Sequence, residues 1–310
     1  MTPLEETPAN LIRAQDAPIL HAQALQDRLQ PFTVPIFRFR RNVPEPVDSG
    51  SGVLLNIGEF YFVLTAGHCV TGDFDSLTLG VRNHPHRFSF EPANRNYVCI
   101  WERGDFGYFQ VSPDSVGTIA AGNRVFLTER SVEVLSVSEH EASRDFLALA
   151  GYPLNFMANT DDGTGARLLV YSTTMAGGQH APASTLVVAG GENRREIHAW
   201  IPQQDNVDTL ADDRPPVASF PRLHGASGGG WWSTHMNRAA WQASDVKLIG
   251  THVGMSPQVT ETEDGLRHRF SRVSLVGNHL ALIARDYPAL RQHILDTWPS
   301  VGSYGADLPA

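Results

Sequence analysis

At 310 residues, with 42% hydrophobic and 18% charged residues, the chain has ample material for a packed core and is too apolar for wholesale disorder. Its formal net charge of −9 repels phosphate backbones, which argues against nucleic acid as a partner. The most apolar stretch, Val53 to Val70, is interrupted by Asn56, Gly58, Glu59 and His68, so no membrane span is expected.

Met1 to Asn10 holds two glutamates and no basic region leading into an apolar run, unlike a signal peptide. Two cysteines, Cys69 and Cys99, are few for a secreted domain of this size and suit a reducing compartment. The expectation is a soluble cytoplasmic protein.

Along the chain, Pro18 opens a helix, Leu20, Leu25 and Leu29 supply an apolar face, and Pro31 ends it. This predicts a helical extension over residues 1–31, packed on the outside of the main domain. Short β-like runs follow: Phe32–Phe39, Gly52–Asn56, Phe60–Ala66, Leu77–Val81, Tyr97–Trp101 and Gly107–Val111. A second set comprises Val132–Val137, Phe146–Ala150, Arg167–Tyr171, Leu186–Ala189, Glu196–Ile201, Trp231–Trp232, Lys247–Val253 and Arg269–Val273. They are rich in β-branched and aromatic residues and are punctuated by Gly, Pro, Asn and Asp, so the pattern is that of a sandwich or barrel. Leu290, Ile294 and Trp298 recur every four residues and predict a helix over about 288–298, with a loose tail over 299–310. The stretch from Pro202 to Leu223, rich in aspartate and proline, reads as a long functional or mobile loop.

Three local patterns carry chemistry: Leu64-Thr65-Ala66-Gly67-His68-Cys69 at the end of a β-like run, Gly104-Asp105-Phe106-Gly107 between two runs, and Gly225-Ala226-Ser227-Gly228-Gly229-Gly230 before Trp231. A serine that attacks a carbonyl needs a neutral imidazole to take its proton and a carboxylate to orient that imidazole. It also needs backbone N–H groups aimed at the developing oxyanion, and glycine enters the tight turn that this requires.

These residues resemble the trypsin-like (chymotrypsin-fold) serine peptidase family. Thr65 to Cys69 is similar to its histidine motif, Gly225 to Gly229 to its Gly-x-Ser-Gly-Gly nucleophile motif, and the chain order His, Asp, Ser is the family's. Gly151-Tyr152-Pro153 resembles a turn of bacterial members, and Lys247 to Gly254 the strand that lines the substrate cleft. The resemblance implies an all-β fold of two six-stranded antiparallel barrels over residues 32–298, with barrel one at about 32–130 and barrel two at about 131–286. It further implies His68 as general base, Asp105 as its orienting carboxylate, Ser227 as nucleophile, and the N–H groups of Gly225 and Ser227 as oxyanion hole. The implied activity is endopeptidase cleavage of a protein or peptide substrate through an acyl-enzyme, with no cofactor and no metal.

Three departures from the family pattern stand out. Ala226 occupies the position of the aspartate that digestive members use to receive a clipped N-terminus, so activation by clipping is not expected. No cysteine within Ser49–Leu54 is available to bridge Cys69, which leaves it a reduced thiol. Pro221 stands where members cutting after Lys or Arg carry aspartate.

Asp145, before Phe146-Leu147-Ala148-Leu149, is the competing acid. Two rival readings are a catalytically silent peptidase-fold binding module and an α/β-hydrolase using Ser227 with Asp245 and His268. His84 and His86 flank Pro85 and read as a surface loop rather than a metal clip. His224 either shapes the cleft entrance or is merely solvated.

Overall fold

The computed structural model describes residues 17–43, 45–81, 95–100, 104–143, 146–154, 157–160, 163–166, 168–172, 195–202, 222–236, 241–255, 260–261, 267–305 and 308. The first sheet is antiparallel and holds β1 (Thr33–Phe39), β2 (Asp48–Ile57), β3 (Phe60–Thr65), β4 (Ser76–Leu79), β5 (Arg95–Ile100) and β6 (Gly104–Val111) in the order β4-β1-β2-β3-β6-β5. Its run β4-β1-β2-β3 is a Greek key, in which the fourth strand returns to lie beside the first.

The second half contributes β7 (Leu147–Gly151), β8 (Met157–Thr160), β9 (Gly163–Ala166), β10 (Leu169–Ser172), β11 (Glu196–Pro202), β12 (Gly230–Ser233), β13 (Lys247–Met255), β14 (Thr260–Glu261) and β15 (Arg267–Leu275). Its main sheet runs β10-β7-β12-β13-β15-β11, with β14 on β15, while β8 and β9 form a separate hairpin. Counting only its six main strands, this order and that of the first sheet are one circular order, 1-2-3-6-5-4, opened at different places. The two halves therefore share a plan. Among the described residues neither sheet closes on itself: β4 and β5 end the first, β10 and β11 the second.

Strand alternation sorts the core. On β2 and β3, Leu54 and Val63 join Val34, Ile36 and Phe109 inside the first half, while Val53, Leu55, Phe62 and Leu64 point the other way, into the main core. That core continues through Leu149, Trp231, Leu248 and Val273 of the second sheet. Both faces of β2 and β3 are thus covered, and these strands read as nearly continuous apolar runs.

The described helices are α1 (Ala17–Leu29), α2 (Pro113–Ala121), α3 (Val137–Ser143), α4 (Val276–Asp286), α5 (Pro288–Thr297) and α6 (Val301–Gly305). No described helix is long and apolar enough to cross a membrane. The first helix is less peripheral than its pattern suggests, because Leu25 and Leu29 are fully buried in the main core. The expected strand Val132–Val137 is not one. It makes a single bridge, Val132 with Leu248, and the Leu135 carbonyl is taken by the Tyr304 hydroxyl at 2.6 Å instead of a neighbouring strand. The tail, expected loose, turns helical in α6, where Val301 and Tyr304 are buried. The expected run Leu186–Ala189 lies outside the described residues.

The fourth helix leaves β15 without a loop and packs across to the first sheet. His279 meets the Thr65 carbonyl through Nε2 at 2.9 Å. Asp286 accepts hydrogen bonds from Tyr108 Oη at 2.7 Å and Asn96 Nδ2 at 2.5 Å.

Candidate active site

His68 sits in a 3-10 turn, Gly67–Cys69, that follows β3. Asp105 stands near the start of β6, which pairs antiparallel with β3 and brings Gly107 opposite Thr65. The register places the carboxylate beside the turn. Asp105 accepts two hydrogen bonds from His68, from the backbone N–H at 2.9 Å and from Nδ1 at 2.5 Å. Holding the proton on Nδ1 leaves Nε2 as the acceptor nitrogen. Burial, the largest influence on the ring, opposes its charged form. The hydrogen bond and charge of Asp105, with the neighbouring Cys69 acting in the same direction, outweigh burial and raise the pKa above its usual 6.5.

Ser227 lies in a turn whose shape depends on two left-handed glycines, Gly225 with φ +90° and Gly228 with φ +85°. A side chain at Gly228 would collide with the Ser51 carbonyl and the Thr65 hydroxyl, so only glycine lets the serine turn approach the first sheet this closely. Within the turn, Ala226 N–H bonds Leu223 O at 2.8 Å and Gly229 N–H bonds Ala226 O at 2.8 Å. On β13, the His252 carbonyl accepts Gly228 N–H at 2.6 Å, and the His252 N–H donates to Gly229 O at 2.7 Å. The N–H groups of Gly225 and Ser227 have no acceptor among the described residues.

The two turns meet at Ser51 of β2. Ser51 N–H donates to the Ser227 carbonyl at 2.7 Å, its hydroxyl donates to the Gly225 carbonyl at 2.9 Å, and its carbonyl accepts from the Thr65 hydroxyl at 2.7 Å. Cys69, next to His68 in the chain, donates its thiol to the Ser227 carbonyl at 3.4 Å. Residues 68, 105 and 227 are therefore gathered at the seam between the sheets, with Ser227 held by its backbone.

No family model matches the chain, and no curated protein matches it. Solved structures similar to it include a thermostable serine protease from an extremophilic microorganism, at 12% identity and TM-score 0.40, covering 79% of this chain and 91% of that one. Another is the protease Anisep from Arthrobacter nicotinovorans, at 14% identity and TM-score 0.39, covering 77% and 89% respectively. A third is a serine endoprotease from Yersinia pestis, at 13% identity and TM-score 0.41, covering 89% of this chain and 66% of that one. Two antiparallel sheets built in one circular strand order, with the histidine and serine turns at their seam, decide the architecture. The fold is trypsin-like.

The trypsin-like fold removes the α/β-hydrolase reading. A nucleophile elbow leads from a strand into a helix, whereas the Ser227 turn leads into β12. Asp245 caps a 3-10 turn, accepting Gln242 N–H at 2.9 Å, and His268 pairs on β15 with Pro202 and Thr260. His84, His86, Asp145 and Pro221 lie outside the described residues, as do residues 203–221 of the expected loop. His224 is 68% exposed at its side chain and places Nε2 3.7 Å from Asp48 Oδ1.

Sequence reasoning did not find Ser51, whose only signal is the Ser49-Gly50-Ser51-Gly52 run. It also missed Arg38 and Asp48, which carry no local signal at all.

Cys69 is a free, buried thiol, and the missing bridge partner has a place in the structure. A Cβ at Gly50 would stand 3.3 Å from Cys69 Cβ and 2.7 Å from its sulfur. That is a few tenths of an ångström short of the usual disulfide range of roughly 3.5–4.5 Å between Cβ atoms, a gap that a small shift closes. Gly50→Cys is expected to form a disulfide with Cys69 under mild oxidation. Protection of Cys69 from alkylation in denaturant, reversed by reductant, checks it.

Proposed function

We propose that the protein is a serine endopeptidase that hydrolyses peptide bonds through an acyl-enzyme. His68 Nε2 takes the proton from Ser227 Oγ as Oγ attacks the scissile carbonyl carbon. The electron pair of the carbonyl moves onto its oxygen, which the N–H groups of Gly225 and Ser227 stabilise. His68 then hands its proton to the leaving amine, the C–N bond breaks, and water repeats the sequence on the ester. Asp105 holds the imidazole in its productive tautomer and stabilises the imidazolium formed at each step. No step calls for a cofactor.

The observation that carries this reading is the anchoring of the serine turn. Its carbonyls at 225 and 227 are tied to Ser51, and the latter also to Cys69, while the N–H groups at the same two positions stay unbonded among the described residues. A turn that merely connected two strands would have no reason to leave one buried and one half-buried donor without an acceptor.

Reaction with a fluorophosphonate probe tests the proposal. Stoichiometric labelling is expected, absent in Ser227→Ala and strongly reduced in His68→Ala; a folded wild-type protein that takes up no label overturns it. The rate of labelling is also expected to rise with pH. Only neutral His68 accepts the serine proton, and its pKa is raised, so the half-maximal point lies above 6.5. Asp105→Asn removes the largest raising influence and moves that point down.

A further inference from the structure

The carbonyls of the histidine turn point away from the catalytic side, toward the side chain of Arg38. Arg38 lies on β1, directly opposite Asp48 on β2, and is only 12% exposed at its side chain. One guanidinium nitrogen, Nη1, donates to the carbonyls of both His68 and Thr71, each at 2.9 Å. The other, Nη2, is paired with Asp48 Oδ2. Asp48 in turn uses Oδ1 to accept the Ser49 N–H at 2.7 Å, and the same oxygen lies 3.7 Å from His224 Nε2. His224 immediately precedes Gly225, and the Ser49 hydroxyl would lie 3.1 Å from a Cβ there. Hydrogen bonds thus run from the back of the imidazole's turn through Arg38 and Asp48 to Ser49, which lies beside the Gly225 turn.

Resting on the peptidase reading, we infer that Arg38 is a positioning residue. By holding the His68 and Thr71 carbonyls it fixes the imidazole, and through Asp48 it ties that turn to the Gly225 turn. The geometry demands a planar fork, because one group must serve two carbonyls on one edge and a carboxylate on the other. Lysine, a single point charge, satisfies only part of this set. Misplacing a catalytic group by about 1 Å costs on the order of 10²-fold in rate, so a loosened turn registers in the chemical step rather than in binding.

The guanidinium also borders an open cleft of about 300 Å³, with Phe74 5.7 Å beneath it and Arg40, Val47 and Asp73 around it. A free guanidinium ion therefore has a route to the space that Arg38→Ala vacates.

Diisopropyl fluorophosphate inactivation separates the outcomes. Arg38→Ala is expected to lower the limiting inactivation rate about 10- to 100-fold while the half-saturating concentration stays within about twofold. Millimolar guanidinium chloride is expected to restore several-fold of the rate, and ammonium chloride at the same concentration to restore none. Arg38→Lys is expected to fold normally and to fall between the two.

A folded Arg38→Ala protein inactivated at the wild-type rate, or one whose loss lies wholly in half-saturation, overturns the inference. If Arg38→Ala does not fold, Arg38→Lys at the wild-type rate does the same. Amide exchange at Cys69 and Val70, whose N–H groups close the turn onto Ala66 and Gly67 at 3.0 Å each, provides a readout independent of activity. It is expected to speed up in the variants; unchanged exchange refutes the positioning role even if the wild-type protein proves inert to the reagent, a result that counts against the peptidase reading.

Discussion

Replacing Ser227 with alanine is expected to lower turnover by about 10⁶-fold and to leave the fold unchanged. The structural half of this expectation follows from which atoms the turn uses. Ser227 is held by its carbonyl, through Ser51 and Cys69, and the hydroxyl has no hydrogen-bond partner among the described residues. Alanine keeps every one of those backbone bonds. The catalytic half follows from the loss of the only atom that forms the covalent bond, which leaves the oxyanion donors and the binding surface to act on bound water. His68→Ala is expected to cost a similar factor, and Ser227→Ala/His68→Ala scarcely more than either alone, because the pair works as one unit. Asp105→Asn keeps a hydrogen-bonding group opposite Nδ1 but favours the wrong tautomer, and a loss of about 10⁴-fold is expected. Steady-state hydrolysis of a peptide library by the four proteins, with thermal melts in parallel, checks the set. A melting temperature unchanged in Ser227→Ala together with near-wild-type turnover contradicts it.

Acid is expected to unfold the protein well before most carboxylates are protonated. Three histidines are held neutral inside the structure: burial depresses His198 to about 4, His252 to about 3 and His279 to about 4, with the positive charge of Arg272 adding to the effect at His198. His198 is the starkest case, stacked on Phe270 with no hydrogen-bond partner for either ring nitrogen among the described residues. Since each takes up a proton in the unfolded chain near 6.5 and resists it when folded, stability is retained above that value and lost as pH falls toward 4. Each contributes on the order of 3 kcal/mol across that interval. His68 works in the opposite sense, because its raised pKa gives stability that is complete below 6.5 and disappears as pH climbs through its folded value. After that offset the loss remains a large share of the roughly 5–15 kcal/mol that holds a typical domain together. Circular dichroism between pH 7 and 3 is expected to show cooperative unfolding above pH 4. His198→Phe, which keeps the stacking and removes the proton site, is expected to move the midpoint to lower pH. A midpoint that does not move assigns the acid sensitivity elsewhere.

Much of the architecture can be read from the chain because the first-half strands are short, aromatic and well punctuated. Phe32–Phe39, Phe60–Ala66 and Tyr97–Trp101 fall within a residue or two of β1, β3 and β5. The fourth helix is hidden for a definite reason. Val276, Leu280, Ile283 and Ala284 recur at helical spacing, but the helix begins directly where β15 stops, so no turn or capping residue marks its start. The second helix had a legible start in Ser112-Pro113-Asp114, but only Ile119 of it is buried, and its weak apolar pattern gave no periodicity to follow. At the site, local motifs single out residues 68, 105 and 227 as candidates, since a glycine-framed serine and a histidine beside cysteine are written consecutively. The support is written in no such way. Ser51 bonds to residue 225, 174 positions later, and spacing along a chain says nothing of such meetings.

The bond between His279 and the Thr65 carbonyl spans 214 positions. During synthesis the first sheet emerges and can pair its strands long before residue 279 exists, so Thr65, which leads into the histidine turn, gains this bond only afterwards. A nascent chain arrested ahead of Val276 carries His68 and Ser227 alike but lacks the strut behind them. The brace across the seam is thus added only after both His68 and Ser227 have been made.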